Sequence, residues 1–169
     1  MAINIDNSQR ALQIPAILRL AFRPLFLGGT LFSIFAIGWW IYFWLDPFSW
    51  QPHGGPIWWH GHEMIFGFGV AIVTGFLLTA VQSWTGVIGL RGKPLAALAL
   101  TWLAGRILVA FKLGLAGWVI AAIDVSFLMG AAVAMAYPII KVKQWQNLMF
   151  IPILTLLAIT NATSHWAIL

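Results

Sequence analysis

The string WWHGHEM, residues 58–64, places His60, His62 and Glu63 at the head of a long apolar run. A His-x-His-Glu arrangement can hold a metal. Imidazole suits copper, zinc and iron, and a ligating histidine usually leans on a carboxylate, a role open to Glu63. In a helix, His60 and Glu63 share a face and His62 points about 200° away. In an extended segment, which Gly61 permits, both imidazoles point the same way and grip one ion. Further along the chain, Asn161 and His165 stand four apart on one helical face, so the amide can orient the ring or bond to a neighbouring helix. Arg106 and Asp124 also lie within apolar runs. A lone charge at mid-membrane costs about 2.5–3.5 kcal/mol or more, so such residues default to function. Plainer roles exist for each: histidines touching headgroups, an Arg106–Asp124 pair pinning two helices, Asn161 and Ser164 packing helices, Met64 and Met129 filling the core. The absence of cysteine excludes disulfides, thiolate metal sites, iron–sulfur clusters and covalent c-type haem.

The elements that must carry these residues follow from composition. The chain has 169 residues, 62% of them hydrophobic and 8% charged, which is the profile of a polytopic membrane protein. Nine scattered Lys and Arg make no phosphate-binding face, so nucleic acid is excluded as a partner and the lipid bilayer takes its place. The apolar runs lack two-residue alternation, so they read as helices rather than barrel strands. The expected fold is all-α, a transmembrane bundle of about five spans at 25–45, 64–81, 94–111, 115–137 and 148–169. A basic segment, 1–24, precedes it, with Arg10, Arg19 and Arg23 set to lie against headgroups. Residues 46–59, with three prolines and paired glycines, read as a helix-breaking aromatic connection. From the His60 face a groove of small residues continues through Met64, Gly67, Ala71 and Gly75, open to another helix or a flat cofactor. Arg106 and Asp124 are equidistant from the turn near residue 115, so an antiparallel hairpin sets them at one depth.

Charge gives orientation. Arg10, Arg19, Arg23, Arg91, Lys93, Lys141 and Lys143 fall on one side and Lys112 alone on the other, which puts the N-terminus in the cytoplasm. His53 and the His60–Glu63 cluster then lie at the outer face. His165 is 17 residues beyond Leu148, roughly 25 Å along a helix, and reaches the same face.

The strings LAFRPLFLGG (20–29), WWHGHEMIFGFGVAIVTGFLLTAVQSWTG (58–86) and LRGKPLAALALTWLAGR (90–106) resemble the N-terminal part of the NnrS family. The resemblance implies a multi-pass inner-membrane protein of bacteria, associated with b-type haem and copper and linked to denitrification and nitric-oxide stress. It points to His60, His62 and Glu63, and less directly to Arg106 and His165. On this reading His62 or His165 serves as a haem axial ligand, Arg106 receives a haem propionate, and His60, His62 and His165 hold metal with Glu63 and Asn161 behind them. Members of the family carry more spans than five, so a further membrane segment or chain is expected to complete the bundle. Two rivals stand beside this expectation: a non-catalytic subunit whose polar residues only lock helices, and a small transporter working through Arg106 and Asp124.

Overall fold

The computed structural model describes residues 13–46 and 49–169, so Arg10 and most of the segment expected at the headgroups lie outside it. The described part of that segment forms a single 3-10 turn, Ala16–Leu18, tied down by Arg19 Nε on Ile14 O at 2.9 Å and Arg23 Nη1 on Ala16 O at 2.7 Å. Five helical segments long and apolar enough to cross a membrane follow: α1 Phe22–Leu45, α2 Gly55–Thr85, α3 Lys93–Phe111, α4 Gly117–Lys141 and, within the span Trp145–Trp166 that opens on a 3-10 turn, α5 Phe150–Trp166. There is no strand among the described residues. The chain is therefore an all-α membrane protein.

One boundary departs from expectation, and the difference matters for the site. α2 begins at Gly55, not near residue 64, so WWHGHEM is helical from its first residue. The glycines and proline that read as helix breakers instead start the helix. Gly54 takes φ 74°, a conformation open to glycine, and Pro56 sits in the first turn, where a missing N–H costs nothing. Midway, residues Glu63–Gly69 form a π turn before regular α-helix resumes at Val70.

α4 is the central helix, packed against α2, α3 and α5, while α1 covers the other side of α2. Small residues allow the close approach of α1 to α2. A Cβ added at Gly29 would stand 3.3 Å from the Ala71 Cβ, and one at Gly75 would stand 3.1 Å from the Leu25 Cβ. The groove through Gly67, Ala71 and Gly75 is thus filled by a helix. Outward faces stay apolar: Leu31, Ile34, Leu100, Val133 and Leu156 are all exposed, as lipid contact requires. Met129, expected in the core, is among these exposed side chains.

Two apolar cores occupy the interior. The larger includes Leu25, Phe66, Leu78, Trp102, Phe127 and Leu154; the smaller, at the other end, includes Ala36, Trp50, Trp59, Val109 and Ile120. Along α2, α3 and α4 the buried polar residues fall between members of the two clusters. They make one polar layer with hydrocarbon above and below.

Candidate metal centre

Four helices contribute to the layer: His62 and Glu63 from α2, Arg106 from α3, Asp124 from α4, and Asn161 and His165 from α5. All six are buried, with Glu63 and His165 fully so. Arg106 forks between two carboxylates. Its Nη1 donates to Glu63 Oε2 at 2.8 Å, and its Nη2 pairs with Asp124 Oδ1. Glycine makes room for both contacts. A Cβ at Gly67 would stand 2.5 Å from Glu63 Oε2 and 2.8 Å from Arg106 Nη1, and one at Gly105 would stand 2.8 Å from Asp124 Oδ1.

The other oxygen of Asp124 is the hub. Asn161 Nδ2 donates to Asp124 Oδ2 at 2.9 Å, His165 Nε2 lies 3.1 Å from it, and His62 Nε2 lies 3.3 Å from it. With its Nδ2 so committed, Asn161 turns Oδ1 toward His62 Nε2 at 2.9 Å. His62 Nδ1 is 3.3 Å from Glu63 Oε1. One ligand atom each from His62, Asp124 and His165 lies within 4.8 Å of the others, a spacing that small rotations would close around one ion. Charge favours a cation. Two carboxylates face one guanidinium. Both His62 nitrogens face acceptors, Nδ1 toward Glu63 Oε1 and Nε2 toward Asn161 Oδ1. The remaining positive charge therefore comes from a doubly protonated His62 or from a cation that takes the place of its proton.

The π turn and an aromatic cap hold the two imidazoles. The π turn leaves the Gly67 carbonyl to accept from Trp102 Nε1 at 2.8 Å, locking α2 to α3 one turn below Glu63. Above, the Trp58 ring stacks on His62 with centroids 4.4 Å apart and also contacts His165 at 5.2 Å. The connection before α2 folds over this end. His53 N donates to Val109 O at 2.9 Å and Trp50 Nε1 to Ala110 O at 3.0 Å, so the loop satisfies carbonyls that the end of α3 leaves open. That brings the His53 ring to 5.2 Å from the His165 ring. Burial, with His165, Lys112 and His62 nearby and Asp124 opposing, lowers the His53 pKa from 6.5 to about 4.

His60 goes elsewhere. Because the segment is helical, the two histidines of HGHEM diverge, and His60 stacks on Trp40 of α1 at 4.4 Å and 7°. Glu63 shares the interior with His62, not the side of His60. Arg106 is enclosed, with each terminal nitrogen bonded to a carboxylate and its Nε buried without a partner among the described residues. His53, Trp58 and Gly105 are the members of this neighbourhood that sequence reasoning did not assign to the site. Gly105 had a signal: a glycine directly before an intramembrane arginine, facing the helix that carries the only other charge of the hairpin interior.

Beside His165 an apolar recess of about 320 Å³ opens between α4 and α5, lined by Trp118, Ala121, Ala122, Val125, Ala162 and Trp166.

A family model described as "NnrS protein" matches residues 16–169. None of the curated proteins and none of the solved structures compared with the chain matches it.

Proposed function

Since the chain belongs to the NnrS family, we propose that it is a bacterial inner-membrane protein of the nitric-oxide response whose His62, Asp124 and His165 hold a redox metal ion, copper by preference. The observation that carries this reading is the convergence of those three donors, from three helices, in one buried layer where two carboxylates face a single guanidinium. Two imidazoles and one carboxylate are a borderline donor set that late first-row ions accept. A bound copper ion would supply an open coordination position for a small ligand such as nitric oxide. The remaining residues position and insulate. Glu63 and Asn161 hold His62 from either side, Arg106 anchors both carboxylates, and Trp58 and Phe66 close the ring faces to water. By the positive-inside rule the layer lies toward the periplasmic face, with the N-terminus in the cytoplasm.

A b-type haem fits these residues less well. The His62 and His165 rings are 4.9 Å apart with Trp58 against both, which leaves no slot for a macrocycle between them. The recess beside His165 is the one feature favouring a planar cofactor, and its alanines would accept a ring edge. A helix-locking role is the other reading with an observation behind it, because the layer already satisfies most of its own polar atoms.

Metal analysis and visible spectroscopy of the chain purified in detergent separate the three. Loss of one equivalent of copper in His62→Ala and in Asp124→Ala supports the ion. A Soret band lost in His165→Ala supports haem instead. Colourless, metal-free protein that rebinds neither leaves the helix lock.

A further inference from the structure

His165 uses only half of its ring in the polar layer. Its Nε2 faces the Asp124 carboxylate at 3.1 Å. A carboxylate only accepts, so Nε2 carries the ring hydrogen and Nδ1 is left as a bare lone pair. That Nδ1 is buried and has no hydrogen-bond partner among the described residues. The neighbouring ring repeats the situation. His53 is 6% exposed, and its Nε2 is likewise buried without a partner among the described residues. The two rings are 5.2 Å apart between centroids and inclined by 34°. Buried polar nitrogens without partners are rare in folded proteins, and each calls for a reason, a bound ion or water among them. Two such nitrogens stand on adjacent imidazoles.

We propose that His53 and His165 form a second, outer cation position, filled by a soft monovalent late first-row ion, Cu(I). It goes beyond the inner position, and with both ions bound His165 bridges them. Its Nε2 releases the ring hydrogen to solvent as it takes the inner ion, while Nδ1 holds the outer one. His62, Asp124 and Glu63 supply the outer ion no ligand. The ion class follows from the donors. The donors are nitrogens only, and Trp58 and Leu169 crowd the pair. The Asp124 carboxylate beside His165 is already engaged by Arg106, Asn161 and His62, so little there compensates a second positive charge. A monovalent ion content with few nitrogen ligands suits this better than a divalent one. Fixed geometry supports it too. The His53 backbone is held to Val109 O, and Gly117 lets α4 pass so near that a Cβ there would stand 3.0 Å from His53 Cε1. These contacts leave the His53 ring little freedom to move.

The test is a titration of the full chain in detergent with Cu(I), under reducing and anaerobic conditions, against a chromophoric chelator. Two equivalents are expected for the unaltered protein, one for His53→Ala and one for His62→Ala. His53→Gln, closer in shape and checked by circular dichroism and gel filtration, should match His53→Ala. If His53→Ala and His53→Gln bind as many ions as the unaltered chain, the outer position is overturned and the inner one stands. A single ion that His62→Ala keeps and His53→Ala loses supports the outer position and overturns the inner. No bound ion at all overturns both and leaves a water between the rings. X-ray absorption at the copper edge of the His62→Ala protein gives an independent reading. Nitrogen-only ligation is expected, and carboxylate oxygen in the shell would overturn the assignment.

Discussion

Arg106 and His53 illustrate two ways in which a single side chain gains meaning from burial. Arg106 is the sole guanidinium between Glu63 and Asp124. Arg106→Gln leaves two buried carboxylates without their counter-charge, and breaking a buried pair in this way costs about 3–5 kcal/mol. The expected result is a large fall in the denaturation midpoint in detergent, or failure to accumulate; a loss below about 1 kcal/mol would mean that water reaches the pair. His53 acts through pH. Its folded pKa of about 4 lies below its ordinary 6.5, so the folded state disfavours the proton that the unfolded chain takes up. The stability it contributes is present above pH 6.5 and is lost as pH falls toward 4. Thermal melts of the metal-free protein between those limits should show a steeper decline for the unaltered chain than for His53→Gln. Equal slopes would sink that assignment.

At the scale of elements, the π turn at Glu63–Gly69 and the glycines around it decide the shape of the layer. Adjacent residues of an ordinary helix diverge by about 100°, yet His62 and Glu63 are both buried here. Gly67 is the position where the turn meets Arg106, and it has no room for a methyl group. Gly67→Ala should cost about 1–3 kcal/mol as overpacking and reduce metal binding with it. Gly38 of α1 is the control, because a Cβ there meets nothing within 4 Å. Gly38→Ala should leave stability and metal content unchanged or slightly raise stability, given the better helix propensity of alanine. Equal effects at both glycines would show that crowding at the layer is not the cause.

Across the whole molecule, polarity is segregated by end. Gly92 N donates to Leu18 O and Gln144 Nε2 to Trp84 O, which gathers the loops bearing Arg19, Arg91, Lys141 and Lys143, while His53, Lys112 and Trp166 belong to the opposite end. The chain has no cysteine, so single introduced cysteines report topology cleanly. Leu113→Cys should react with a membrane-impermeant maleimide in intact cells, and Lys143→Cys only after permeabilisation. The reverse pattern would invert the orientation and move the polar layer to the cytoplasmic side. Composition and hydropathy were sufficient for the helical class and the number of spans, because a bilayer accepts only backbone that satisfies itself and demands about 20 apolar residues to cross. Equal distances from a hairpin turn were sufficient to put Arg106 beside Asp124, since depth in an antiparallel pair is simple arithmetic. The start of α2 was not legible, because Gly-Gly-Pro serves equally to end a helix or to begin one. That ambiguity hid which face each histidine takes. Which imidazoles meet was decided by packing between residues far apart in the chain: α5 docking on α4 brings His165 to Asp124, and the loop folding onto α3 brings in His53. Rotation of a helix about its axis leaves hydropathy unchanged, so only side chains meeting across helices select it.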